Sequence, residues 1–141
     1  LAKHPKFYFF DTGVVRALTK KLTVPLEPRT PEFGRIFEHF VILEILRWAD
    51  YGRKDLTFSF YRTESGAEVD LIIETPRGRV LAVEIKASNS VDSSALRGLK
   101  SFAEICPKAE LFCASTTSKQ RKMGSVLILP WQDLFQKLEG R

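Results

Sequence analysis

Asp70, Glu84 and Lys86 are ionisable side chains set inside two runs that otherwise read as core. The runs are Glu68-Val69-Asp70-Leu71-Ile72-Ile73 and Val83-Glu84-Ile85-Lys86. Charged groups are expensive in apolar strands unless something compensates them, so this spacing points to a site rather than a surface. Two carboxylates brought together repel, and a divalent cation removes the repulsion. Mg²⁺, with Mn²⁺ as its substitute, is typically held by one or two carboxylates together with waters and phosphate oxygens. A lysine beside them can orient or deprotonate a water, or neutralise charge developing on a phosphate. The plainer alternative is an ion pair of Lys86 with Glu84 or Glu68 on the solvated face of an amphipathic hairpin.

Strand geometry says how these residues would meet. Side chains alternate faces along a strand, so Glu68, Asp70 and Ile72 are expected on one face and Val69, Leu71 and Ile73 on the other. Val80, Ala82, Glu84 and Lys86 share a face, opposite Leu81, Val83 and Ile85. Between the runs, Pro76 suits the second position of a type I turn and Gly78 the left-handed position that follows it. The loop is then Pro76 to Gly78, with Thr75 opposite Arg79. Counting back from it sets Asp70 against Glu84 and Glu68 against Lys86, and opposed side chains point to the same side of a sheet.

A third carboxylate comes from a helix. Thr30 is a fitting N-cap, Pro31 fits the first helical position, and Glu32 sits in the first turn. The expected helix runs from Pro31 to Asp50 and is apolar nearly all round, the mark of a buried helix. Glu38 lies in one column with Val41, Ile42 and Ile45. There it needs a partner, either Arg35 or the carboxylates of the sheet, with which it would support a metal-bound water. His39 is expected to be a hydrogen-bonded structural residue, since no second His or Cys stands at ligand spacing.

Helix with Glu38, strand with Asp70, then Glu84-Ile85-Lys86 on the next strand resembles the PD-(D/E)XK nuclease superfamily. That resemblance implies a restriction-endonuclease-like α/β fold, with an α-β-β-β-α-β core and a mixed central sheet flanked by helices. It also implies magnesium-dependent phosphodiester hydrolysis. Asp70 and Glu84 would be metal ligands, Glu38 would support the metal shell, and Lys86 would position the water or the scissile phosphate. More narrowly, the chain resembles an uncharacterised domain at the C-terminus of bacterial and archaeal AAA-type P-loop ATPases. The stretches that carry this are Lys6-Phe7-Tyr8-Phe9-Phe10-Asp11-Thr12-Gly13, Gly34 to Val41, Tyr61 to Asp70, and Val83 to Ser88. The implied partner is an N-terminal ATPase domain of the same parent chain. The phosphate-binding glycine loop is absent from this sequence, so no P-loop ATP site is expected here.

The scaffold around these residues reads as follows. Residues 1–30 form an N-terminal portion: a short apolar strand from Phe7 to Phe10, a small helix from Val14 to Leu18 capped by Asp11 or Thr12, and a Pro-bearing linker from Thr23 to Thr30. Residues 31–141 form the nuclease-like core of what is a single domain overall. Thr57 to Arg62 is a strand. Ser93 to Ile105 is an amphipathic helix with Leu96, Leu99, Phe102 and Ala103 inward. Ala109 to Ala114 and Ser125 to Leu129 are strands, and Trp131 to Leu138 is a terminal helix. The β-helix-β segment after Lys86 suits a crossover into a mixed sheet.

Composition is that of a globular protein: 141 residues, 44% hydrophobic and 28% charged, with a formal net charge of +5. That charge favours an anionic partner only weakly. The candidate nucleic-acid contacts are Arg62 beside the proposed site, Lys100 on the following helix, and Lys119, Arg121 and Lys122 in a polar loop. For the last three a solvated loop is the preferred reading. No apolar run is long enough to span a membrane. The isolated Cys106 and Cys113 are expected to be buried and reduced, which points to the cytoplasm. Leu1 in place of Met suggests a fragment of a larger protein. The function classes left open are a metal-dependent endonuclease, a catalytically inactive module binding nucleic acid or protein, and an oligomerisation module of the ATPase.

Overall fold

The computed structural model describes residues 6–140. Its element order is α1 (Thr12–Leu18), α2 (Pro31–Tyr51), β1 (Thr57–Arg62), β2 (Glu68–Glu74), β3 (Val80–Lys86), α3 (Arg97–Ile105), β4 (Glu110–Ser115), β5 (Arg121–Met123), β6 (Val126–Pro130) and α4 (Leu134–Leu138). From α2 to β4 this is the α-β-β-β-α-β order that the sequence suggests. The strands form one six-stranded sheet, ordered β1-β2-β3-β4-β6-β5. The first three strands pair antiparallel, β3, β4 and β6 run parallel, and β5 returns antiparallel on the edge.

The sheet separates two apolar layers. On one side Val41, Ile42 and Ile45 of α2, with Leu134 and Leu138 of α4, pack on Leu71, Ile73, Leu81, Val83, Ile85, Phe112, Ala114 and Leu129. On the other side Leu96 and Leu99 pack on Val69, Ile72, Val80, Ala82, Leu111, Cys113, Val126 and Ile128. The alternation along β3 and β4 is what assigns each residue to its layer.

Local chemistry fixes the ends of the elements that matter here. The Thr30 hydroxyl accepts the Phe33 amide at 3.2 Å and caps α2. The hairpin loop is the expected one: Thr75 and Arg79 bond across it, and Gly78 takes φ +76°, which glycine adopts without strain. Asp92 caps the short 3₁₀ turn that leads into α3, its carboxylate accepting the amides of Ser94 and Ala95. The close approach of α3 to β2 depends on Gly98, where a Cβ would lie 1.7 Å from the Glu68 carbonyl oxygen.

Four expectations are corrected. The stretch from Phe7 to Phe10 is not a strand. Its carbonyls are taken by side chains of α2 rather than by a ladder: Phe9 O lies 2.6 Å from His39 Nε2, and Arg47 donates to Phe10 O at 2.7 Å. The polar loop around Lys119 to Lys122 contains a strand, β5, whose pairing with β6 decides its conformation despite its charged side chains. Cys106 is only half-buried, at the C-terminal end of α3, whereas Cys113 is fully buried; both are free thiols. The fourth correction, to the faces of β2, bears on the site and follows below. No helix among the described residues is long and apolar enough to cross a membrane.

Candidate functional site

The site is built on an irregularity in β2. Ser59 pairs with Ile72 and Tyr61 with Val69, so Phe60 alone opposes both Asp70 and Leu71. This is a β-bulge on β2, a device that re-aims side chains and recurs beside active sites. Its signature is plain in the packing: Val69 and Ile72, three residues apart, fall in the same apolar layer, while Leu71 and Ile73 fall in the other. Simple alternation, which puts Asp70 with Ile72, therefore fails at this point. The bulge turns Asp70 towards α2.

The pairing of β2 with β3 reaches only as far as Leu71 and Val83. Beyond it, the Ile85 amide that would continue the ladder donates instead to Asp70 Oδ2 at 2.8 Å. A side chain thus replaces a strand partner, and the sheet opens between β2 and β3. Glu84 keeps the alternation of β3 and lies on the α3 side, in register with Cys113 of β4. Asp70 and Glu84 are consequently not side by side on one face. They enter the opening from its two sides.

Both carboxylates are buried. Burial, and then the charge of Asp70, pushes the Glu84 carboxyl up to about 7. Burial, and then the charge of Glu38, raises Asp70. Lys86 Nζ stands 2.6 Å from Glu84 Oε1, while Glu84 Oε2 is buried with no hydrogen-bond partner among the described residues. An unsatisfied buried oxygen costs about 1–3 kcal/mol. Lys86 pairs with Glu84; Glu68 turns instead to Arg62, at 3.5 Å. Burial on its own would lower the pKa of Lys86; the charge and hydrogen bond of Glu84, together with the charge of Asp70, outweigh it and leave the ammonium with a raised pKa.

Glu38 reaches the same region from α2, but its partner is not Arg35. Lys6 Nζ lies 3.3 Å from Glu38 Oε1 and 3.3 Å from Asp70 Oδ1, and the Tyr8 hydroxyl donates to Glu38 Oε1 at 2.9 Å. Sequence reasoning missed Lys6 and Tyr8 as members of the site. The signal was present, since both are polar positions alternating with Phe7 and Phe9. His39 is a hydrogen-bonded structural residue as expected: it is buried, bonded to Phe9 O and tilted against the Tyr8 ring.

An open groove of ≈ 380 Å³ runs over this cluster, lined by Lys6, Tyr8, Arg35, Glu38, Arg62 and Glu68 among others. Arg62 therefore lines the groove with Glu38 and Lys6, whereas Asp70, Glu84 and Lys86 do not line it. The other basic candidates are not brought to it. Lys100 is an exposed residue of α3, and Lys119, Arg121 and Lys122 lie at the far edge of the sheet, with Arg121 donating to Val91 O.

The donor set fits a hard cation: carboxylate oxygens, one of them buried and unsatisfied, beside a lysine. In the arrangement seen, however, no three His, Cys, Asp or Glu side chains among the described residues converge closely enough to hold a metal ion. Between Glu38 and Asp70 stands the ammonium of Lys6.

The chain belongs to a family described as a domain of unknown function, DUF4143, whose model matches residues 33–134. That span contains Glu38, Asp70, Glu84 and Lys86 but neither Lys6 nor Tyr8. None of the curated proteins matches the chain. Among solved structures it is similar to a chain of the refined half-complex from a tetradecameric assembly of Thermococcus gammatolerans McrB AAA+ hexamers with bound McrC. The identity is 16% and the TM-score 0.49, over 69% of this chain and 27% of the other. The present chain thus spans about a quarter of that protein's length.

Proposed function

We propose that this member of the DUF4143 family is a nuclease-like domain of the PD-(D/E)XK type, hydrolysing phosphodiesters of nucleic acid with Mg²⁺ or Mn²⁺. The observation that carries the reading is the opening between β2 and β3. A bulge, a broken ladder and a buried, unsatisfied carboxylate oxygen coincide there with Asp70, Glu84 and Lys86. Each of these is locally unfavourable, and such features gather where a site requires them.

Glu84 and Asp70 would hold the cation, with Glu38 supporting its shell. When bound, the cation would polarise a phosphate oxygen and lower the pKa of a water. The chain's own residues do the rest. Lys86, anchored by Glu84 and partly exposed, is the ammonium that would fix a water or balance negative charge on a phosphate. Arg62 and Arg35 line the groove that would receive the backbone of the nucleic acid. The domain would be carried by an AAA-type ATPase of the same parent chain and work in the cytoplasm. That part of the reading rests on the sequence stretches that resemble such proteins.

A second reading, a protein-binding or oligomerisation module, is favoured by the N-terminal layer. Phe7, Phe9, Phe10, Leu18, Leu22 and Val24 are large apolar side chains left exposed there. Calorimetric titration of Mn²⁺ into the wild type and Asp70→Asn separates the two. Binding lost in Asp70→Asn supports the nuclease reading, and no binding by folded wild type favours the module.

A further inference from the structure

The stretch from Lys6 to Phe10 lies across the carboxylates without belonging to the sheet or to any helix. Its attachments are polar contacts to the body of the protein. Lys6 Nζ bridges Glu38 and Asp70 at 3.3 Å each, Tyr8 donates to Glu38, His39 meets Phe9 O, and Arg47 donates to Phe10 O. Lys6 and Tyr8 point inward and Phe7 and Phe9 outward, with Phe7 85% exposed. Lifting this stretch would therefore uncover little apolar surface beyond the Tyr8 ring, and each bond broken is one that water can replace.

We propose that residues 6–10 form an autoinhibitory strap, in which the Lys6 ammonium holds the Asp70 oxygen, and the Glu38 beside it, that a divalent cation between Asp70 and Glu84 would require. The inference rests on the metal-dependent reading of the site. A tethered ammonium is present at high effective concentration, so it competes with a free ion even though it carries only one charge. It explains why Glu38 and Asp70 do not close on a common ion: they straddle a lysine, while Glu84 is held by Lys86. It also links the site to whatever engages the N-terminal layer, because the strap runs directly into the cap residue of α1, Asp11.

Apparent affinity for the ion is the intrinsic affinity multiplied by the fraction of time the strap is lifted. A strap docked nine-tenths of the time or more gives a difference of about 10-fold or greater. The test is calorimetric titration of Mn²⁺ into the full chain as wild type, Lys6→Met, and Lys6→Met combined with Asp70→Asn. Lys6→Met should bind Mn²⁺ at least about 10-fold more tightly than wild type, and the added Asp70→Asn should abolish that binding. Asp70-dependent binding that is equal or weaker in Lys6→Met overturns the strap while leaving the metal site standing. Absence of Asp70-dependent binding in every variant overturns both. A second measurement needs no substitution: acylation of Lys6 in the wild type should accelerate as Mn²⁺ is added. An unchanged rate, at Mn²⁺ concentrations that calorimetry shows to be saturating, overturns the strap.

Discussion

Glu84→Gln should stabilise the metal-free protein at pH 8 and leave it nearly unchanged at pH 4. Burial and the nearby charge of Asp70 push the Glu84 carboxyl from 4.5 to about 7. Between those values the folded protein holds a proton that the unfolded chain has released, so stability falls as pH rises through the window. Each pKa unit is worth about 1.4 kcal/mol, so the full penalty above pH 7 is about 3 kcal/mol. Asp70, also raised, contributes with the same sign. Glutamine keeps the shape of Glu84 and removes the charge. The ammonium of Lys86 loses its partner but retains 38% side-chain exposure, enough to be hydrated. Thermal melts in EDTA from pH 4 to 8.5 check this: the variant's Tm should exceed that of the wild type by roughly 10 °C at pH 8, shrinking to near zero at pH 4. A variant less stable than wild type at pH 8, or a difference constant across the range, would refute the assignment of Glu84 as a strained, buried carboxylate. Added Mn²⁺ should narrow the gap by stabilising the wild type alone, since a ligand bound only by the folded state raises its stability.

Two glycines should respond in opposite directions to the same substitution. Gly98→Ala drives a Cβ into the backbone of β2 and should destabilise by about 3 kcal/mol in denaturant unfolding, because neither α3 nor β2 can yield locally. Gly34→Ala in α2 meets nothing within 4 Å and should stabilise by about 0.5–1 kcal/mol in the same assay. Asp70→Asn retains an acceptor for the Ile85 amide and removes a buried charge, so its Tm should not fall below that of the wild type at neutral pH while its metal binding is lost.

The legible parts of this fold are those written in local chemistry. Thr30-Pro31 opens α2, Pro76 to Gly78 sets the hairpin, and the alternation of β3 places Glu84 and Lys86 on one face. Each depends on neighbours a few residues away. The bulge was invisible because the parity of β2 changes only through its pairing with β1, where Phe60 opposes two residues. Counting along β2 alone therefore carried Asp70 to the wrong side. Lys6 and Tyr8 were hidden by distance: their contacts to Glu38 and Asp70 span 30 to 64 residues. The apolar residues between them looked like a strand because alternation says nothing about what a segment pairs with. β5 escaped for a similar reason, since a three-residue edge strand needs only a partner, here β6, and no apolar pattern of its own. The family resemblance supplied the grouping of Glu38, Asp70, Glu84 and Lys86. It did not supply the lysine standing between Glu38 and Asp70.

The most direct test of the central claim is cleavage. Labelled single- and double-stranded DNA and RNA are incubated with Mn²⁺ and the wild type, Lys6→Met, or Lys6→Met carrying Asp70→Asn. Including Lys6→Met prevents an occluded site from being mistaken for a dead one. The account predicts metal-dependent cutting of at least one substrate by Lys6→Met, weaker cutting by the wild type, and none once Asp70 is replaced. Folded Lys6→Met protein that leaves every substrate intact would contradict it.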